Sequence, residues 1–377
     1  MLQYRRGPLV ATPMKKILGI GVALILVINV VRLIPVAQGP GFEASLLKEP
    51  EKTVPKTITT PISTAQTQTV FALLETVMEK DRDFAKAHAI VENIQPQKNN
   101  QQLLDLYRAK ILSRTLAFDK ALEILKGIPE ETTTLLKAAT LIAMGDRTSA
   151  ESLLRDASAN HPDSSVREKA QALLSVYASF DRHLDEDESY LWVLFAQKLG
   201  DLGEYEISHY LAQKAVKKNP GYRDAWTIKG YDELVMKKPQ DAEFSLLSAY
   251  QLDTSNANIQ YLLGLTTSEL GKPELSSRYL LYAKNAQTPY LSVILEKLAE
   301  NSEKQKDLAL AAYYYNTLLS ETADKRPILE KLIVLFADSL NQPEKAQPYA
   351  EQLAKEFPDE KSNALLKWVE EFNNVAK

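Results

Sequence analysis

Trp192 and Trp226 stand 34 residues apart, and the residues around them repeat at the same interval. Ala215, Ala249 and Ala283 share one phase of that repeat, Ala196, Gly230 and Gly264 a second, and Ser208, Ala242 and Ser276 a third. A period of this length restricts the chain to an array of helical hairpins, because each two-helix unit buries its apolar face only by stacking on its neighbours. Antiparallel helices approach closely only where side chains are small, so Ala, Gly and Ser recur at the crossings while Trp, Leu, Tyr and Phe fill the flanks. The fold class is therefore all-α, an α-solenoid of antiparallel helix pairs. The 13 glycines in 377 residues agree, being too few for repeated tight β-turns or Gly-rich phosphate loops.

Residues 189 to 222 carry Trp192, Phe195, Ala196, Leu199, Gly203, Tyr205, Ser208, Ala215 and Pro220. In order and spacing they resemble the tetratricopeptide repeat. Residues 223–256 and 257–290 follow with no insertion, the latter with Leu263, Gly264, Gly271, Leu280 and Ala283. Residues 131–164 match through Ala138, Leu141, Gly145, Ala150, Leu154, Ala157 and Pro162; residues 68–101 and 102–130 match more weakly, through Phe84, Phe118, Ala87 and Ala121. Residues 292–325 and 327–360 complete the array. Pro239 and Pro273 replace the family's Tyr, and both suit the first turn of a second helix.

These units divide the chain into a first sub-array over 68–164 and a second over 189–360. Residues 165–188 do not fit the repeat; they read as one helix, Val166 to Phe180, and an acidic loop, a break that bends the array or lets its halves pack together. Residues 361–377 read as a capping helix whose Leu365, Leu366, Trp368, Val369 and Phe372 cover the end of the stack.

Residues 17–34 are apolar apart from Asn29 and Arg32, and Arg5, Arg6, Lys15 and Lys16 precede them with no acidic residue. This reads as a transmembrane anchor with residues 1–16 as a basic cytoplasmic tail, placing the repeats outside the cytoplasm. A cleaved signal peptide is the alternative, although small residues are poorly placed for cleavage. Residues 35–67, with Pro35, Pro40, Pro50, Pro55 and Pro61 among threonines, cannot build a core and read as an extended tether.

The net charge of −4, with both signs interleaved, leaves no basic stripe for nucleic acid. The absence of cysteine removes disulfides, thiol nucleophiles and zinc–cysteine sites. His88, His161, His183 and His209 are scattered over different units, and no hydrolase, zinc-protease or phosphate-loop motif occurs. The acids Asp181, Asp185, Glu186, Asp187 and Glu188 near His183 read as helix caps in preference to a calcium site. No catalytic residue, cofactor or metal is expected.

In the family the first helix of each unit lines the concave surface. Carried over residue by residue, that resemblance implies a peptide-binding groove of Tyr190, Val193, Gln197, Thr227, Tyr231, Asn258, Tyr261 and Leu265, an aromatic and amide-bearing stripe suited to an extended peptide. Val193, Gln197, Thr227 and Tyr231 stand where chaperone-adaptor members carry a Lys and Asn carboxylate clamp, so that role is not implied. The expected function is a membrane-anchored, non-catalytic scaffold or adaptor that binds a protein or extended peptide during assembly of an envelope or membrane complex. The alternatives are a substrate-holding chaperone or translocon accessory subunit, a self-assembling structural protein, or an enzyme on a helical scaffold.

Overall fold

A computed structural model describes residues 64–94, 100–183, 187–286 and 289–375, and every element among them is helical. The apolar stretch 17–34 lies outside them, as does nearly all of the tether. None of the described helices is long and apolar enough to cross a membrane.

The first sub-array contains three hairpins: α1 (Thr64–Glu75) with α2 (Phe84–Asn93), α3 (Gln101–Arg114) with α4 (Phe118–Leu125), and α5 (Glu130–Met144) with α6 (Arg147–Asn160). The single helix α7 (Ser164–Phe180) follows. Five further hairpins form the second sub-array: α8 (Glu188–Asp201) with α9 (Tyr205–Lys218), α10 (Arg223–Val235) with α11 (Pro239–Leu252), α12 (Ala257–Glu269) with α13 (Pro273–Asn285), α14 (Leu291–Lys304) with α15 (Leu308–Glu321), and α16 (Arg326–Val334) with α17 (Pro343–Glu356). Helix α18 (Glu360–Val375) closes the stack by placing Val369 in the core with Leu329, Ile333 and Leu353. Helix α1 begins four residues inside the stretch read as tether.

One turn joins the helices of every hairpin. A residue at positive φ is followed by a cap residue and then the second helix, and all the described positive-φ residues occupy this place: Arg82, Leu116, Gly145, Gly203, Lys237, Gly271, Lys306 and Asn341. The cap residue's N–H returns to a carbonyl five residues back, as from Asp146 to Leu141 (3.0 Å) and from Glu204 to Leu199 (2.9 Å), which satisfies the otherwise orphaned carbonyls of the first helix. In the first and last hairpins a π-helical turn (Thr76–Asp81 and Leu335–Ser339) adds one residue, and the bond reaches six back, from Asp83 to Val77 and from Gln342 to Phe336. Pro239, Pro273 and Pro343 each open a second helix, where the missing N–H costs nothing.

Glycine at the crossing phase decides how closely helices meet. A Cβ at Gly230 would lie 2.6 Å from Leu246 Cγ, and one at Gly264 2.5 Å from Leu280 Cδ2. The Ser276 hydroxyl exploits that approach by donating to the Gly264 carbonyl at 2.7 Å. Trp192 and Trp226 are half-buried flanking residues. Lys214 lies 4.4 Å from the centre of the Trp192 ring, and the Trp226 indole N–H donates to the Pro220 carbonyl (2.8 Å).

The interruption at α7 has a large consequence. It turns the chain so that α9, the second helix of the fourth hairpin, packs against α3 and α5, first helices of the first sub-array. Ile207, Leu211 and Ala212 of α9 share one buried cluster with Ala138, Leu141 and Ile142 of α5 and Leu173 of α7, and Tyr210 meets Phe118 edge-on (5.4 Å). Helix α5 is consequently buried over the unbroken run Ala138–Ala143.

Candidate functional site

First helices of successive hairpins touch one another directly in the second sub-array, α8 with α10, α10 with α12 and α12 with α14, so they form its inner layer. The residues expected to line that layer separate into three groups. Gln197, Asn258 and Tyr231 are exposed on it; Tyr190, Thr227 and Leu265 are half-buried. Val193, at 5% exposure, belongs instead to the seam between the fourth and fifth hairpins, packed with Ala215, Val216 and Ala225. Tyr261, at 9% exposure, lies beneath the Tyr290 ring, stacked at 4.4 Å with 9° between planes. These two corrections have one cause, because the phase that faces a groove in a regular repeat is covered wherever the adjoining hairpin or turn packs over it.

Tyrosine rings run across this layer. Tyr205 and Tyr231 meet edge-on at 6.1 Å, and Tyr261 stacks on Tyr290. Burial and the neighbouring Tyr205 hydroxyl push the Tyr231 phenol up to about 12, so it stays neutral and able to donate. Tyr231 and Tyr290 keep 40% and 41% of their surface exposed. At the end formed by Tyr205 the Arg82 guanidinium lies 4.7 Å over the ring and donates to Glu206 at 2.6 Å.

One face of α14, at the phases that hold the groove positions in the preceding hairpins, is acidic. Val293, Glu296, Glu300 and Glu303 fall at spacings of three, four and three residues, one helical face. Val293 and Glu303 are exposed, Glu296 and Glu300 half-buried. Carrying the groove phases one unit further, into 292–325, would have located the first three in the sequence. Lys297 donates to Glu300 at 2.8 Å; burial pulls its ammonium down, but Glu300 with Glu269 and Glu296 lifts it above the usual lysine value.

A buried polar seam lies behind α9. Arg114 donates to Glu204 (3.1 Å) and Glu79 (2.6 Å), so Arg82 and Arg114 both reach the first turn of α9, where the helix dipole already favours acids. Ser208 donates to Asp232 at 2.6 Å, and Glu233 accepts from Ser245 and Lys229. Burial drives the Asp232 and Glu233 carboxyls above the usual range and, with Lys229 and Lys238, brings His209 down to about 3. Asp232 is wholly inaccessible, so these shifts report packing and give no substrate a point of entry.

Two open clefts lie elsewhere, one of about 780 Å³ beside Leu122, Lys137, Leu141 and Asp156, and one of about 430 Å³ beside Glu344 and Asn373. Beside the larger cleft the Asp146 carboxyl is lowered by accepting from the Ser149 hydroxyl and N–H. Among the described residues no group of His, Asp and Glu is arranged to hold a metal. Of the acidic loop's described residues, Asp187 caps α8 by accepting from Ser189 N–H at 2.7 Å, whereas Asp181 stands at the end of α7 and pairs with Arg147.

The left-handed turns, the Gly and Ala crossings and the inner layer of first helices define a tetratricopeptide-like helical-hairpin solenoid. No protein-family model and no curated protein matches the chain. Among solved structures it is similar to YrrB, a TPR protein with an unusual peptide-binding site, at TM-score 0.44 and 17% identity over 52% of this chain and 99% of that one. It is similar also to the type IV pilus biogenesis factor PilW (TM-score 0.40, 18% identity, 50% of this chain and 87% of that one). PilF of Pseudomonas aeruginosa aligns at TM-score 0.39 and 16% identity over 65% of this chain and 97% of that one.

Proposed function

We propose that this chain is a non-catalytic scaffold whose second sub-array binds an extended segment of a partner protein along the inner face of α8, α10, α12 and α14. The groove residues that carry it are Tyr190, Gln197, Thr227, Tyr231, Asn258 and Leu265, joined by Tyr290 and Val293. The observation that supports this reading is the difference between the two inner layers: the first is filled by α9, whereas the second keeps half-exposed tyrosines beside polar side chains. Rings of that kind contribute large contact area at low entropic cost, while neighbouring amides and hydroxyls pair with a peptide backbone. Residues 17–34 would hold the scaffold at a membrane with the repeats outside the cytoplasm, a reading supported by the basic flank and the apolar run.

Site-specific photocrosslinking in native membranes tests the groove. A photoreactive residue at Gln197 or Asn258 is expected to trap one discrete partner, while the same residue at Phe244, exposed on the second helix α11, traps none. Equal capture from both faces would sink the proposal. Alkaline extraction tests the anchor: full-length chain should stay with the membrane, and chain beginning at residue 36 should not.

A further inference from the structure

We infer, on the reading that the inner face of the second sub-array binds an extended peptide, that Arg82 is a positioning residue for that face. It fixes the Tyr205 ring, and through that ring it holds Tyr231 in the orientation a peptide meets. Each link is a direct contact. The Arg82 guanidinium lies 4.7 Å over the face of Tyr205 and donates to Glu206, the next residue, at 2.6 Å. Tyr205 in turn meets Tyr231 edge-on, with 6.1 Å between ring centres and 67° between planes. A cation on a ring face favours one ring plane, and an edge-on neighbour is then held against that plane.

The turn that carries Arg82 sets this contact apart. Lys237 and Lys306 occupy the same left-handed place in two other hairpins and are exposed, whereas the Arg82 side chain keeps only 8% of its surface. Arg114 grips the same first turn of α9 through the carboxylates of Glu204 and Glu79. Both arginines thus tether α9 to the first sub-array, and Arg82 adds the ring contact that leads to Tyr231. The first sub-array, whose own inner face is filled by α9, thereby gains a part in binding. It pre-forms one end of the neighbouring groove, and a ring already held in its bound orientation gives up less entropy when a peptide arrives.

Fluorine NMR of the full-length chain in detergent, with 3-fluorotyrosine replacing Tyr231 alone, tests this at a temperature where the chains are folded. Arg82→Gln should shift or split the resonance, and Arg82→Lys, which keeps a cation for the ring and for Glu206, should restore it. Arg114→Gln loosens the same turn but should leave the resonance close to that of the unaltered chain. Where Arg82→Gln unfolds the first hairpin, Glu206→Gln, which releases the guanidinium from its anchor, is read in its place. In native membranes, capture by a photoreactive residue at Gln197 should fall about threefold to fivefold on Arg82→Gln and recover with Arg82→Lys. An unmoved resonance in the folded variant, an equal change in Arg114→Gln, or undiminished capture at Gln197 overturns the positioning role and leaves the groove reading standing. If the unaltered chain captures nothing at Gln197, the groove reading fails and the positioning role falls with it.

Discussion

The two sub-arrays share one hairpin and one turn yet differ in what their inner faces touch. In the first, α3 and α5 close around α9, and Arg82 and Arg114 bind the acidic first turn of that helix. In the second, α10 and α14 keep Tyr231, Val293 and Glu303 exposed. The difference teaches that a repeat surface is available to a partner only when the chain does not occupy it first, and α9 shows the kind of surface that the first sub-array accepts.

The largest effect should therefore come from the ion pairs that hold α9. Arg114 is buried and serves two carboxylates, Glu204 and Glu79, that themselves keep 21% and 42% of their side-chain surface, so Arg114→Ala removes packing and two charge-assisted hydrogen bonds and should cost about 3 kcal/mol in urea unfolding. Arg223 in the second sub-array also bridges two acids, Asp224 and Asp253, but is 40% exposed at its side chain, and Arg223→Ala should cost less than about 1 kcal/mol. Equal losses at the two arginines would break the comparison.

Helix α9 is also where acid should act. His209 has its pKa lowered from 6.5 to about 3 by burial and by Lys229 and Lys238. Above pH 6.5 it is neutral whether the chain is folded or not. As pH falls below that value the unfolded chain takes the proton and the native one does not, so stability declines through the window down to about 3. Asp232 and Glu233, raised by burial, act in the opposite sense, which makes a comparison at equal pH necessary. Between about pH 7 and about pH 4.5, His209→Gln should gain about 2.5 kcal/mol relative to the unaltered chain. Parallel pH profiles would show that His209 is solvated.

Crossing residues discriminate the halves in a different way. Gly230→Ala and Gly264→Ala drive a methyl group into Leu246 or Leu280 and should each cost about 1–3 kcal/mol, read as a drop in urea midpoint. Ala138 holds the same phase in the first sub-array and is already buried without glycine. Ala138→Gly should cost about 1 kcal/mol through helix propensity and lost contact. If Gly264→Ala were harmless, the crossing would be looser than the hydrogen bond from Ser276 implies.

How much of this was legible follows from how local each feature is. The hairpins of 189–290 could be read from their 34-residue spacing, and the irregular helix before them from the loss of phase, because each depends on residues within one unit or its neighbour. The Arg82–Glu206 pair joins residues 124 positions apart and leaves no periodic trace. Val193 was misplaced for a related reason: its phase faces outward from its own helix, but Ala225 and Val216 cover it from the adjoining hairpin and the paired helix. Glu296 and Glu300 were within reach of the same phase argument, one unit further along.

The smallest expected effect lies in the turn itself, which both halves share and fill with glycine in some hairpins and with larger residues in others. Leu116 and Lys237 hold φ of 65° and 58°, whereas Gly145 and Gly203 occupy the same place without a Cβ. A side chain there crowds the backbone by about 1–2 kcal/mol, and glycine relieves the crowding at some cost in unfolded-state entropy. Leu116→Gly and Lys237→Gly should each raise stability by about 0.5 kcal/mol, measured as an increase in urea midpoint at constant slope. Asn341, at φ 51°, should gain less on the same change, because a short amide side chain tolerates this conformation. A loss at Leu116 paired with a gain at Lys237 would mean that Leu116 contributes packing between its hairpin and a neighbour, and would make the first sub-array tighter at its turns as well as at its inner face.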